Sequence, residues 1–276
     1  MEEHFEIVRA TLWGLAPIAA AFVLLALVTK RRAIVAALRR VHTEARTNFL
    51  LYLVNGLIVA PIFLVPVAAV EAVLGGERWF AGFWDSLPEL VTLAAAIVLV
   101  DLVSYWRHRL EHTSELWRIH ATHHADTAYH WFTVQRKHPA SKVLAMLVDG
   151  VLVVALGLPA WSIVGAALIR SWWGYFIHAD VPWTLGPVGK VLVSPAAHRL
   201  HHIRDEALMG ANYGNTVTLW DKLFGTWVDP APHVNCETGI AEGTRGFWGE
   251  LGRPFEKRYR RSSTEAVGDA GVPSSS

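Results

Sequence analysis

Apolar residues in this chain are gathered in blocks rather than spread in stripes of helical period, and this limits the solvent in which it can fold. Leu12 to Thr29 is long enough to cross a bilayer as a helix, which takes about 20 residues. Asn48 to Val70 is a second block, and its Pro61 and Pro66 are tolerated in membrane helices. Leu87 to Trp106 is a third, running directly into a pair of histidines. Val143 to Leu158 and Trp161 to His178 are each read as short for a full crossing and meet at Gly157-Leu158-Pro159, which predicts a hairpin entering and leaving on one side. Together these blocks predict an all-α integral membrane protein with about three spans plus a helical hairpin.

Charge orients the spans. Lys30, Arg31, Arg32, Arg39, Arg40 and Arg46 follow the first block and predict a cytoplasmic loop. The stretch after the second block is acidic, with Glu71, Glu77, Asp85 and Glu89 against Arg78, and Trp79 and Trp84 read there as interfacial anchors. The third span then returns inward, placing the histidine-rich segment in a cytoplasmic helical cap. The chain has a formal net charge of +1, which gives no reason to expect nucleic acid as a partner. Its single cysteine, Cys236, excludes an intrachain disulfide and a thiolate metal cluster. The acidic start MEEHFE does not read as a cleavable signal peptide. Residues 1–256 read as one membrane-embedded domain, and the polar, small-residue tail 257–276 as disordered.

Of 14 histidines, 11 fall between His108 and His202, and three clusters among them carry the chemistry. HRLEH places His108 and His112 at i and i+4; HATHH holds His120, His123 and His124; HRLHH holds His198, His201 and His202. Residues three and four apart share a helix face, so each cluster can aim two or three imidazoles at one point. His138 in RKHP and His178 in FIHAD stand singly. Imidazole suits iron, zinc, copper and nickel. A single zinc ion takes about four ligands, so three such clusters fit two metals sharing a site. Two irons activating dioxygen could attack an unactivated C–H bond.

The order HRLEH, HATHH, RKHP, FIHAD, HRLHH, NYGN and WDKLFGTW, from Asp101 to Trp227, resembles the fatty acid hydroxylase/sterol desaturase superfamily. The resemblance implies an oxygen-dependent lipid hydroxylase or desaturase with two iron ions, for which zinc can substitute in a purified sample. It implies ten ligands: His108, His112, His120, His123, His124, His138, His178, His198, His201 and His202. Asp101, seven residues before His108, and Asp221 match the family's aspartates and are expected to accept from metal-bound imidazoles. Asn212, Tyr213 and Asn215 either line the site or shape a turn. His130 stands where many members carry asparagine; it reads as a further site histidine, a substrate contact or a surface residue, and is left out of the ligand set.

Such chemistry consumes two external electrons. With no dinucleotide fingerprint and no cysteine-based iron–sulfur motif, a ferredoxin or small cytochrome with its reductase is expected as donor. Arg118, Arg136, Lys137, Arg199 and Arg204 flank the boxes and either dock an acidic carrier or serve topology. The lipid substrate is expected to enter from the bilayer past Leu168, Ile169 and the Trp172-Trp173 pair, which serve as walls or as interfacial belt residues. Sterol, hopanoid, fatty acyl, ceramide-like and carotenoid substrates all remain open, as does hydroxylation against desaturation. A membrane metal transporter would carry its ligands mid-span, and a zinc-dependent membrane hydrolase would show HExxH; neither pattern is present.

Overall fold

The computed structural model describes residues 2–62 and 80–260. Among these residues there are helices and connecting segments but no strand; extended pairing is confined to two isolated bridges, Leu192 with Val217 and Ile203 with Thr238. Helix α1 (Glu2–Lys30) ends in a 3-10 turn at Arg31–Ala33, where Arg31 adopts φ 45°. A positive φ is uncommon outside glycine and interrupts the helical path. Helix α2 (Ile34–Val54) folds back along α1 and continues through a π-helical turn, Asn55–Val59. Tyr52 therefore packs against the cluster that holds Ile18 and Phe22.

This corrects the expected basic loop. Arg39, Arg40 and Arg46 lie on α2, because Ile34–Val54 contains neither glycine nor proline to stop a helix. The second expected span is described only as far as Ile62; Pro66, Glu71, Glu77, Arg78 and Trp79 lie outside the described residues.

Short helix α3 (Ala81–Ser86) precedes α4 (Glu89–Glu111). Leu87 is extended and Pro88 caps α4, as expected where proline holds the residue before it out of the helical region. Trp84 is not an interfacial anchor. It is buried, and its indole N–H donates to the Leu156 carbonyl at 3.0 Å. The hairpin is present as α6 (Pro139–Ala155) and α7 (Ala160–Ile177). Gly157 takes φ 64° between them, the left-handed conformation that ends helices, and Pro159 caps α7. Helix α4 packs between both arms, and Ala96, Leu158 and Ala166 form the buried contact. The approach is close: a Cβ on Gly165 would meet Leu93 Cδ1 at 2.9 Å.

Trp13–Ile62, broken at the Arg31 turn, and Glu89–Glu111 are the described stretches long and apolar enough to cross a bilayer. Their surfaces are apolar outward, with Trp13, Leu24, Leu38 and Leu90 all exposed. Water would not leave so much apolar surface uncovered, so the chain is built as a membrane protein.

Short helices joined by loops cover one end of α4 and the hairpin: α5 (Ser114–His124), a 3-10 segment Trp131–Gln135, α8 (Pro195–His201), α9 (Leu219–Leu223) and α10 (Phe247–Gly252). Ser194 caps α8 by accepting from the Ala197 N–H at 3.1 Å, with Pro195 at its first position. Lys257–Arg260 makes one more helical turn; residues 261–276 of the expected tail are outside the described residues.

Candidate metal centre

Four helix ends converge in the cap. His108 and His112 sit on the last turn and C-cap of α4, while His120, His123 and His124 occupy the last turns of α5. His178 caps α7, and His198, His201 and His202 lie on or cap α8. These nine side chains form two groups, His108, His112, His120, His124 and His201 in one, His123, His178, His198 and His202 in the other. Within each group the candidate ligand atoms lie within 4.8 Å of one another. The groups adjoin: the rings of His124 and His202 stack with centroids 4.3 Å apart, and those of His198 and His201 lie 5.2 Å apart.

Hydrogen bonding shows what the groups are arranged to hold. His108 Nδ1 lies 2.9 Å from the Tyr213 carbonyl, and His201 Nδ1 2.8 Å from the Ala211 carbonyl. A carbonyl can only accept, so each Nδ1 carries the proton and each Nε2 presents a lone pair. Those two Nε2 atoms face each other at 3.0 Å. The second group repeats the pattern. His178 Nδ1 donates to the Gly174 carbonyl at 2.6 Å and His123 Nδ1 to the Arg136 carbonyl at 3.3 Å, while their Nε2 atoms stand 3.5 Å apart. Opposed lone pairs repel unless a cation sits among them. His202 is fully buried with neither ring nitrogen partnered, and His112 Nε2, His124 Nδ1 and His198 Nδ1 are buried without partners too. Burial and the neighbouring imidazoles hold His124, His198 and His202 well below the usual imidazole range, so they are neutral, the form that binds metal. This donor set fits metal ions.

Backbone carbonyls, rather than Asp101 and Asp221, orient four of the rings, those of His108, His123, His178 and His201. Asp101 accepts from the Thr216 and Val217 N–H groups at 3.1 and 3.2 Å and pairs with Arg170. Asp221 accepts from the Tyr213 and Gly214 N–H groups at 2.7 and 2.8 Å and from Thr226 Oγ1 at 2.7 Å. Neither aspartate is paired with an imidazole; both shape the loop whose carbonyls at Ala211 and Tyr213 aim His201 and His108. They differ from the expected imidazole acceptors because that loop has unpaired N–H groups to satisfy. Asn212, at φ 55°, pins the same loop by exchanging hydrogen bonds with Val228 at 3.0 Å. Tyr213 stacks its ring edge-on against His112 at 5.0 Å. Asn215 points elsewhere, donating to the Arg170 carbonyl at 3.2 Å.

His138 is not brought to either group. Its Nε2 lies 3.2 Å from the Leu251 carbonyl and its Nδ1 accepts from the Ala140 N–H at 3.1 Å, so the ring serves the start of α6. His130 is buried outside both groups, with Nδ1 2.9 Å from the Ala128 carbonyl and Nε2 unpartnered. Glu111, inside the first box, is a site residue that the sequence did not single out as an imidazole partner. Its carboxylate approaches His120 Nδ1 at 3.6 Å and is fixed by Arg107 at 2.6 Å and by Ser141. The i+4 spacing from Arg107 was the available signal.

The expected carrier-docking cations divide. Arg136 is fully buried, pairing with Glu44 at 2.6 Å and Glu250 at 2.7 Å. Arg199 pairs with Asp180 at 2.7 Å. Burial, with Arg107 and Lys142 adding repulsion, pushes Lys137 down to about 8. Arg118 and Arg204 are exposed. An apolar cleft of 850 Å³ lies between α1 and α7, lined by Phe22, Leu25, Leu168, Ile169, Trp172 and Trp183 among others.

Residues 93–226 match the fatty acid hydroxylase family model. Ornithine lipid hydroxylase of Rhizobium tropici is 26% identical over 199 residues, 71% of this chain and 60% of that protein. Human alkylglycerol monooxygenase is 31% identical over 147 residues, 52% of this chain and 32% of that protein. Lathosterol oxidase of Mus musculus is 25% identical over 171 residues, 62% of this chain and 55% of that protein. The chain thus spans between a third and three fifths of the length of these relatives. No solved structure matches. Residues 93–226, just under half of the chain, are thus a segment similar to the fatty acid hydroxylase family.

Proposed function

We propose that this chain is an oxygen-dependent di-iron lipid hydroxylase or desaturase. The observation that carries this is the pair of adjoining buried groups, five imidazoles and four, with lone pairs turned inward. Nine imidazoles exceed what one zinc needs, about four. His108, His112, His120, His124 and His201 would hold one ion, and His123, His178, His198 and His202 the other, a set of nine that omits His138. Bound iron would supply oxygen activation and hydrogen abstraction from an unactivated carbon.

The chain's own residues prepare that site. The carbonyls of Tyr213, Ala211, Gly174 and Arg136 keep the Nδ1 protons in place, so Nε2 stays available as ligand. Glu111 steadies His120. Burial shields the whole second group and His120, His124 and His201 of the first from bulk water, which protects reactive steps from side reactions. The cleft between α1 and α7 would receive a lipid chain directly from the bilayer, sparing it about 0.8 kcal/mol per methylene of exposure to water. Relatives act on an ornithine lipid, an alkylglycerol and lathosterol by name, which supports a lipid substrate.

In this proposal residues 1–256 form one multi-pass domain with the metal centre on the cytoplasmic side. The positive charges at Lys30 to Arg46 support that side. A ferredoxin or small cytochrome with its reductase supplies electrons, and Arg118 and Arg204 are the exposed cations left to meet it. The test is lipid profiling of cells with and without the active gene under labelled dioxygen, beside metal analysis of purified protein. Two ions per chain and a labelled or desaturated lipid are expected. One ion with full activity, or a lipid profile unaffected by the gene, would overturn it.

A further inference from the structure

A second, smaller cavity of 160 Å³ lies between α1 and α2, and its walls differ from those of the apolar cleft. Phe22 and Leu25 border both, so the two spaces are neighbours. The smaller cavity is lined by apolar residues such as Leu27, Leu38 and Trp131 together with Lys30, Arg40, His130 and Asp180. Asp180 pairs with Lys30 Nζ at 2.8 Å, Arg40 Nη2 at 3.0 Å and Arg199 Nη1 at 2.7 Å. One carboxylate thus faces three cations, leaving two positive charges in excess. His130 is more than nine-tenths buried, and its Nε2 has no partner. At 160 Å³ the cavity suits a headgroup rather than a whole lipid, while the 850 Å³ cleft is within the usual range for a ligand site, about 300–1,000 Å³.

We propose that the cavity between α1 and α2 binds the anionic headgroup, a phosphate or carboxylate, of a lipid whose chain lies in the adjoining cleft. This rests on the proposed lipid activity and names its substrate class. Lys30 and Arg40 supply the charge that meets the oxyanion. Arg199 sits in HRLHH and Asp180 follows His178 by two residues, so the headgroup site is tied to the metal groups by the chain itself. Such a site sets how far along the lipid chain the reacting carbon falls, because the anchored end fixes the register.

The test is binding, measured by thermal shift and native mass spectrometry on the full chain in a neutral detergent. It needs neither dioxygen nor turnover, so its outcome is separate from that of the oxidation experiment. Oleyl phosphate and oleate are expected to bind and stabilise the protein, and oleyl alcohol, with the same chain, to do so about tenfold more weakly. Arg40→Gln and Lys30→Gln are expected to weaken oleyl phosphate by about the same factor while metal content is unchanged. Equal binding of oleyl alcohol overturns the headgroup site. Equal stabilisation by inorganic phosphate alone overturns the lipid assignment. If a variant fails to fold, the comparison of the three lipids on the unaltered chain still decides.

Discussion

Among the nine clustered imidazoles His201 is the most tightly specified: fully buried, with Nδ1 donating to Ala211 and Nε2 turned toward His108. His201→Ala removes a ligand that no neighbour can replace, so it is expected to lose metal and turnover together, read by metal analysis and product formation. Metal at full content would remove His201 from the set. Asp221 acts a step further out, through the Tyr213 N–H and hence the carbonyl that aims His108. Replacing it by Asn puts an amide NH2 against one of the two N–H groups it now accepts from, and a loss of roughly 10–100-fold in metal affinity or turnover is expected. Wild-type values in both would show that the loop holds its shape without this carboxylate. His130→Asn is expected to keep both metals, since His130 belongs to neither group. Loss of metal from a folded variant would place His130 in the centre.

Helix α7 joins the lipid side to the metal side: Leu168 and Ile169 line the cleft and His178 ends the helix at the second group. Leu168→Trp fills part of the cleft without touching the groups. It is expected to shift the preferred lipid towards shorter chains while metal content stays intact, read by turnover across a chain-length series. An unchanged preference would mean that lipid takes another path. This wall was legible in the sequence because apolar blocks and histidine spacing are local patterns, and so were the hairpin and the helix faces that carry the boxes. What the sequence hid is set by distant pairing. Asp101 and Asp221 looked like imidazole partners, yet they bind backbone N–H groups of the 213–217 loop, and loop carbonyls orient the rings instead. His138 looked like a ligand by its motif and caps α6. Trp84 looked interfacial until its indole found Leu156, 72 residues away. The basic stretch after the first block read as a loop because charge reports sidedness and says nothing of helix continuity.

At the scale of the whole molecule one ionic network binds together segments far apart in the chain. Arg136, beside the second group, donates to Glu44 on α2, to Asn48, to Thr244 and to Glu250 on α10. Glu250 also takes Arg253 at 2.7 Å. The cap is thereby tied to α2 and to the C-terminal segment, and the Arg136 carbonyl that holds His123 is fixed with it. The charged members Glu44, Glu250 and Arg253 are all buried with Arg136, so removing one leaves the others as uncompensated charges. Burial raises the Glu250 carboxyl, but hydrogen bonds from Arg253 and the charges of Arg136 and Arg253 outweigh it, and its pKa falls below the ordinary 4.5. A depressed carboxylate contributes stability fully above its unfolded pKa and loses it as pH falls through the folded one. Acid is therefore expected to loosen the cap below about pH 4.5, with metal released in the same range because His123 loses its fixed carbonyl. Glu250→Gln abolishes that contribution at every pH. It leaves Arg136 and Arg253 underpaired, and a destabilisation of about 3–5 kcal/mol is expected at neutral pH. Thermal unfolding of both proteins between neutral and acid pH checks this. The unaltered chain should approach the variant's stability as the pH falls, and parallel curves with a constant gap would show that Glu250 is not the group whose protonation opens the cap.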